Sequence, residues 1–111
     1  MYRSYPQPKK SLSFDDVCEL LTVSYTEDDI GQQIAEYTPR KVFCVRYSVS
    51  RQEFYQAKTA GIRSEILVCI PTSEYKGEEF MRYNGAEYTI YKVYEREDEA
   101  VELYCAKRVG Q

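Results

Sequence analysis

Apolar and polar residues alternate along most of this chain, which is the pattern of β-strands with one buried face. The alternation is clearest over residues 40–49, where Phe43 and Val45 fall on one face and Cys44 on the other. Six segments have strand character and are predicted as strands: residues 16–25, 40–49, 65–70, 79–83, 86–94 and 100–109.

The segments between the strands carry turn signals. Residues 65–70 are almost continuously apolar, which predicts a strand covered on both faces, and Pro71 ends its hydrogen-bonding ladder. Asn84 and Gly85 both tolerate positive φ, so they predict a two-residue type I′ hairpin. Residues 26–38 are polar and acidic, and we interpret them as a long loop with a solvated tip.

Residues 48–61 interrupt the strand pattern and predict one short helix. Ser50 is the expected N-cap, and the side chain of Glu53 is expected to reach back to the backbone N–H of Ser50 and complete a capping box. Gly61 can adopt the left-handed conformation that ends a helix.

This helix should have an inner and an outer side. Phe54 and Ala57 are expected to pack against the strands, because they share one face at helical spacing. The outer side carries the side chains expected to contact a partner subunit or to form a gating segment, which are Arg51, Gln52, Tyr55, Gln56 and Lys58.

Together these elements predict a mainly β protein, a small antiparallel barrel or sandwich of about six strands with one short helix between the second and third. A length of 111 residues corresponds to one domain. Residues 1–14 contain two prolines and lack apolar periodicity, so they are predicted as an extended arm, and residues 15–111 as the single barrel domain. We expect no signal peptide and no membrane partner, because no apolar run approaches the roughly 20 residues of a membrane-spanning helix.

The charge balance argues against tight binding of nucleic acid. The chain has 18 acidic and 15 basic residues, a net charge of −3. Proteins that hold phosphates normally cluster Lys and Arg on one face. An acidic surface also suits a conduit that lets DNA pass without gripping it.

The sequence offers no constellation for catalysis, a metal or a cofactor. Its four cysteines stand singly in apolar or alternating runs and there is no histidine, so we predict reduced core thiols and neither a zinc site nor an activated nucleophile. The five glycines are scattered, which excludes a phosphate cradle, and the paired acids lie mostly in predicted loops. We expect that the protein is not an enzyme and has no cofactor.

Tyrosine is the dominant aromatic residue, with 12 copies against four phenylalanines and no tryptophan. A row of hydroxyls is expected at Tyr83, Tyr88, Tyr91 and Tyr94. Two interpretations stay open: the rings complete the core, or they form a contact surface.

Five segments of the sequence, residues 48–57 (SVSRQEFYQA), 75–78 (YKGE), 83–85 (YNG), 88–94 (YTIYKVY) and 102–105 (ELYC), carry a family resemblance through their order and spacing. They resemble the head closure, or head-tail connector, proteins of long-tailed bacteriophages and their prophages, a family that includes the siphophage stopper protein. The resemblance spans residues 16–110.

The resemblance implies a structural, non-catalytic role in virion assembly. Such proteins are small β-barrels that join a homo-oligomeric ring, by resemblance a dodecamer, beneath the portal and adaptor. The ring closes the head, retains DNA that passes without sequence-specific contacts, and receives the tail proteins. The subunit would be made in the bacterial cytoplasm and would act in the virion. A monomer is possible when the protein is isolated. The gating segment of a stopper corresponds to residues 49–63, where this sequence predicts a capped helix.

Two other functions remain as alternatives at this stage. A tail-terminator or tail-completion subunit has similar size and β-character. A small barrel that binds single-stranded nucleic acid would use tyrosines to stack bases.

Overall fold

A computed structural model describes residues 13–107 of the chain. The predicted fold class is confirmed: the described residues are mainly β, with one helix between the second and third of six antiparallel strands. The elements are β1 Asp16–Glu27, β2 Gln33–Tyr47, α1 Arg51–Thr59, β3 Ser64–Pro71, a 3₁₀ turn Thr72–Glu74, β4 Phe80–Tyr83, β5 Ala86–Glu95 and β6 Ala100–Lys107.

The strands close into a barrel in the order β1-β2-β3-β6-β5-β4, with β4 pairing back onto β1. Closure involves short pairings on both sides of the β1–β2 hairpin. β1 meets β4 over Glu19–Leu21, and β2 meets β3 over Val45–Tyr47, three residue pairs in each case. Of the two architectures left open by the sequence, the barrel is the one observed.

The barrel interior is filled by one apolar cluster with small thiols among larger aliphatic side chains. All four cysteines are buried and free, as expected of core thiols: Cys18, Cys44 and Cys105 belong to this cluster, and Cys69 is buried on the other face of β3. On β2 the inward face is that of Val42 and Cys44, while Phe43 is 65% exposed. The face of this strand with the larger apolar side chains therefore points outward.

β3 is buried on both faces, as its continuous apolar run predicted. Ile66, Val68 and Ile70 belong to the interior cluster, and Leu67 and Cys69 are buried on the opposite face. Helix α1 lies against β3.

The predicted loop over residues 26–38 is wrong. β1 and β2 pair continuously from Asp16↔Cys44 to Glu27↔Gln33, so that only a short turn remains between them. Asp28 closes this turn by accepting at Oδ1 from the backbone N–H groups of Ile30 (3.0 Å) and Gln32 (2.8 Å). The alternation was hidden because neither face of this hairpin end is packed into the barrel.

Two other local predictions concern the turn at Asn84 and Gly85 and the end of the second strand. Asn84 and Gly85 have φ of 54° and 84°, as the type I′ hairpin requires, which confirms that prediction. The predicted second strand ends two residues early, at Tyr47, because Ser48 and Val49 lead into the helix cap. The predicted arm, except for residues 13 and 14, and the end of the sixth strand beyond residue 107 lie outside the described residues.

Candidate assembly surfaces

Helix α1 is fixed at both ends by local hydrogen bonds. Ser50 is the N-cap, with its Oγ accepting from the N–H of Glu53 at 3.1 Å. At the other end Gly61 has φ of +81°, its N–H donates to the carbonyl of Lys58, and the N–H of Ile62 donates to that of Ala57. This is a Schellman motif, so the predicted cap and stop are both present.

The Glu53 side chain has a different role from the one predicted. Its carboxylate turns to β5, where it accepts from the Tyr91 hydroxyl at 2.7 Å and forms an ion pair with Lys92. The Tyr91 hydroxyl also lies 2.7 Å from the Oγ of Ser64, which is buried. Because a phenol has one proton, Tyr91 donates to the carboxylate and accepts from the serine hydroxyl.

These contacts act on the ionisation of both groups. Burial alone would raise the pKa of Glu53, but the hydrogen bonds from Lys92 and Tyr91 outweigh it and leave the pKa below its ordinary value. Burial, together with the hydrogen bond to Glu53, raises the pKa of Tyr91 to about 12. Both groups keep their usual charge near neutral pH, so the helix is fastened to β5 by a charged contact. We call this contact of Glu53, Tyr91 and Lys92 the helix clasp.

The structure separates the inner and outer sides of α1 largely as predicted. Ala57 is the buried residue of the helix, and Phe54 is half-buried, with its ring edge-on to Tyr55 at 5.7 Å between centroids. Phe54 thus lies at the border of the barrel rather than in its core. The five outer residues predicted as a contact surface are all exposed: Arg51, Gln52, Tyr55, Gln56 and Lys58.

A groove of about 350 Å³ opens at the C-terminal end of α1. Phe54 and Ile62, both half-buried, form its apolar part, and Gly61 lies beside them. Lys58 and Arg63 supply positive charge at its edge, and Arg63 is 85% exposed with Glu65 as an ion-pair partner at 3.9 Å. We call this feature the helix groove.

A second surface is the far end of the β1–β2 hairpin, whose strand structure the sequence did not predict beyond residue 25. Past Leu21 and Pro39, neither strand pairs with a barrel neighbour among the described strands, so residues 22–38 form a two-stranded projection. Six residues of β1 follow Leu21, which at about 3.3 Å each gives a reach of roughly 20 Å. We call residues 22–38 the hairpin arm.

The hairpin arm has one apolar face and an acidic tip. Val23 lies opposite Tyr37, and Tyr25 opposite Ala35, on the side of the hairpin that continues from Leu21 and Pro39. At the tip, Ile30 is 77% exposed. The acidic residues around it are Glu27, Asp28 and Asp29.

The base of the hairpin arm is held by a partly buried ion-pair cluster. Arg40 donates to Oε1 of Glu74 (3.0 Å), to the carbonyl of Glu74 (2.7 Å) and to Oε2 of Glu78 (2.7 Å). Glu78 is buried, and its Oε1 accepts from the N–H of Lys76. Burial would raise the pKa of Glu78, but the hydrogen bonds from Arg40 and Lys76 prevail and lower it.

The tyrosines do not form one exposed row. Tyr88 is in the core, the Tyr83 hydroxyl donates to Asp16, and Tyr91 belongs to the helix clasp, which leaves Tyr94 exposed. Three of the four predicted rings are thus committed to the chain's own structure, and a contact role for Tyr94 stays a prediction.

The chemistry of the buried cysteine thiols indicates a structural role. Burial raises the pKa of Cys69 to about 11 and that of Cys105 to about 12, so both are thiols near neutral pH. Within residues 13–107 no group of three or more His, Cys, Asp or Glu side chains is arranged to hold a metal ion. No helix in this part of the chain is long and apolar enough to cross a membrane.

Comparison with known proteins adds the fold alone. No protein-family model matches the chain, and no curated protein matches its sequence. Among solved structures, the chain is similar to the solution structure of protein SF1141 from Shigella flexneri 2a, a structural genomics target. The TM-score is 0.67 at 13% identity, over 88% of this chain and 96% of that protein.

Proposed function

We propose that this chain is a structural subunit of a bacteriophage or prophage head-tail connector. In this role it forms a homo-oligomeric ring below the portal and adaptor, closes the head, retains DNA and receives the tail. The observation that carries the proposal is that the barrel completes its own core, while α1 and the hairpin arm present surfaces that the barrel does not need.

The five segments that resemble head closure proteins occupy positions with definite structural roles. Residues 48–57 contain the N-cap and most of α1, and residues 75–78 contain the buried Glu78. Residues 83–85 form the type I′ turn, and the other two segments lie on β5 and β6. The five segments thus lie on the helix, the turns and the strands of one domain.

The conformation of residues 49–63 bears on how subunits would contact one another in such a ring. In the free subunit this segment is a capped helix fastened to β5 by the helix clasp, with its outer residues free for contact. We propose that it acts as a packed contact element between subunits or with the adaptor, and the half-buried Phe54 beside the exposed Tyr55 is its centre.

The proposal is tested by deleting the gene in an inducible phage that carries it. We expect heads that fail to keep their DNA and stay unjoined to tails, seen by electron microscopy and by nuclease sensitivity of the packaged DNA. Tails of irregular length with normal heads would instead identify a tail terminator. Tailed, DNA-filled virions after deletion would refute a connector role.

The helix is tested by complementing the deletion with Phe54→Ala combined with Tyr55→Ala. We expect impaired assembly or DNA retention although the purified variant unfolds cooperatively near the wild-type temperature. Normal virion yield and DNA content with this variant would remove α1 from the mechanism while leaving the connector assignment in place.

A further inference from the structure

We propose that the tip of the hairpin arm docks into the helix groove of a second copy of this chain. The partner is thus named as another subunit, and the contact is head-to-tail, with a different surface on each side. The inference rests on the proposed ring, because closed rings of identical subunits need such heterologous contacts.

The tip has the form of a preorganised apolar knob. Ile30 projects from a turn whose backbone is fixed by Asp28, through the N–H groups of Ile30 and Gln32 at Oδ1 and through the N–H of Gly31 at the Asp28 carbonyl (3.1 Å). A large aliphatic side chain that is 77% exposed on an ordered turn contributes nothing to the hydrophobic core of its own subunit. Burying it against a partner removes apolar surface from water with little ordering cost.

The helix groove offers the matching receptor. Phe54 and Ile62 give it an apolar floor, and its volume of about 350 Å³ is open to solvent. A knob of one aliphatic side chain in such a groove is the kind of central contact that dominates protein interfaces.

Charge complementarity selects this pairing over others. Around the knob lie Glu27, Asp28 and Asp29, and at the edge of the groove lie Lys58 and Arg63. Opposite potentials on two surfaces favour encounter and fix their register. The chain as a whole is acidic, so a positively charged groove stands out as a place for the acidic tip.

The reach of the hairpin arm makes the contact feasible between subunits. The tip stands roughly 20 Å beyond the last barrel pairing of β1, so it can meet a neighbour's helix while the two barrels stay apart.

The first test is paired charge reversal in the purified protein. The tip variant carries Glu27→Lys with Asp29→Lys, which spares Asp28 and its turn, and the groove variant carries Lys58→Glu with Arg63→Glu. Each alone should weaken self-association by at least about tenfold, because like charges then face each other. An equal mixture of the two should restore it, since each tip again meets an opposite groove. A control with Lys41→Glu and Lys107→Glu has the same net charge as the groove variant and should behave as wild type.

The second test traps the contact covalently. Gln32→Cys at the tip and Ala60→Cys beside the helix groove, in one chain and with oxidised glutathione as oxidant, should give disulfide-linked dimers and longer ladders. The natural cysteines are buried, so they do not compete. Gln32→Cys combined with Thr72→Cys, at the opposite end of β3, should give none of these products.

The outcomes separate this contact from the connector assignment. Linked dimers with restored association in the mixture support the docking, whatever the deletion phenotype. If the cysteine pair links neither in solution nor in assembled particles, or if the mixture stays as weak as each variant, the docking is wrong even where deletion yields tailless heads. Loss of particle assembly by the tip variant without loss of self-association would assign the tip to a different partner protein and also overturn the proposal.

Discussion

At the scale of single residues, the carboxylate of Glu78 is the group that depends most on its ion-pair and hydrogen-bond partners. It is buried with Arg40 as its ion-pair partner, and such a group is stable inside a protein only while both partners remain. Its lowered pKa means that the charged form is favoured by folding. The resulting stabilisation is complete above the ordinary glutamate pKa of about 4.3 and is lost as pH falls through the lower pKa of the folded state.

Replacing this carboxylate should therefore cost stability near neutral pH. We expect Glu78→Gln to lower the free energy of unfolding by about 2 kcal/mol, because Arg40 and the N–H of Lys76 lose a charged acceptor. Urea unfolding monitored over a pH series measures the effect. The difference from wild type should be constant above about pH 5 and shrink in more acidic solution. Glu79→Gln, the same change on the exposed neighbouring residue, is the control, and an equal loss in both variants would contradict the role of the buried ion pair.

At the scale of elements, local signals predicted local structure and failed where partners are distant. Ser50 and Gly61 identify the ends of α1 from the sequence because each bonds within a few residues of itself. The contact of Glu53 with Tyr91 joins residues 38 positions apart, and no spacing rule reports it. The sequence likewise could not show that Phe43 points outward. Alternation distinguishes the two faces of a strand, but it does not show which of them the barrel encloses.

The helix clasp should govern the local stability of α1. Glu53→Gln keeps the backbone cap on Ser50 but removes the charge that holds Lys92 and weakens the acceptor for Tyr91. We expect faster amide hydrogen exchange throughout α1 and a loss of about 1–2 kcal/mol in unfolding free energy. Glu65→Gln, an exposed change on the adjacent strand, should leave exchange in α1 unaltered. Unchanged protection of α1 in Glu53→Gln would mean that packing of Ala57, rather than the clasp, holds the helix.

At the scale of the whole molecule, the barrel and the hairpin arm are separable in energy. The buried residues of β1 and β2 are Cys18, Leu20, Leu21, Val42 and Cys44, all before the arm begins or after it ends. Residues 26–38 of the arm were predicted as a loop because they are polar and acidic, and none of them enters the barrel core. Its strand structure rests on the ladder and on the turn at Asp28.

Shortening the hairpin arm should consequently leave the barrel intact. We expect a variant in which residues 25–35 are replaced by Asn-Gly to fold, with its unfolding free energy within about 1 kcal/mol of wild type. Tyr37 is retained in this variant because its ring packs edge-on against Phe80 at 6.0 Å. Thermal unfolding by circular dichroism measures the change, and Ile30→Ser, which alters the tip alone, is the matched variant. Loss of a cooperative transition on shortening would show that the arm belongs to the folding unit.

The two short pairings beside the β1–β2 hairpin have a kinetic consequence. Three residue pairs join β1 to β4 and three join β2 to β3, whereas β1 and β2 pair with each other over twelve. The hairpin and the remaining four strands are thus two cooperative blocks joined by weaker boundaries, and opening should occur along those boundaries first. A hairpin released in this way could re-close on the four-stranded block of another copy, exchanging domains through the residues between Tyr47 and Ser64 as the hinge. The segment that carries α1 would then set the rate of such exchange, because the helix clasp must open before the hinge can extend.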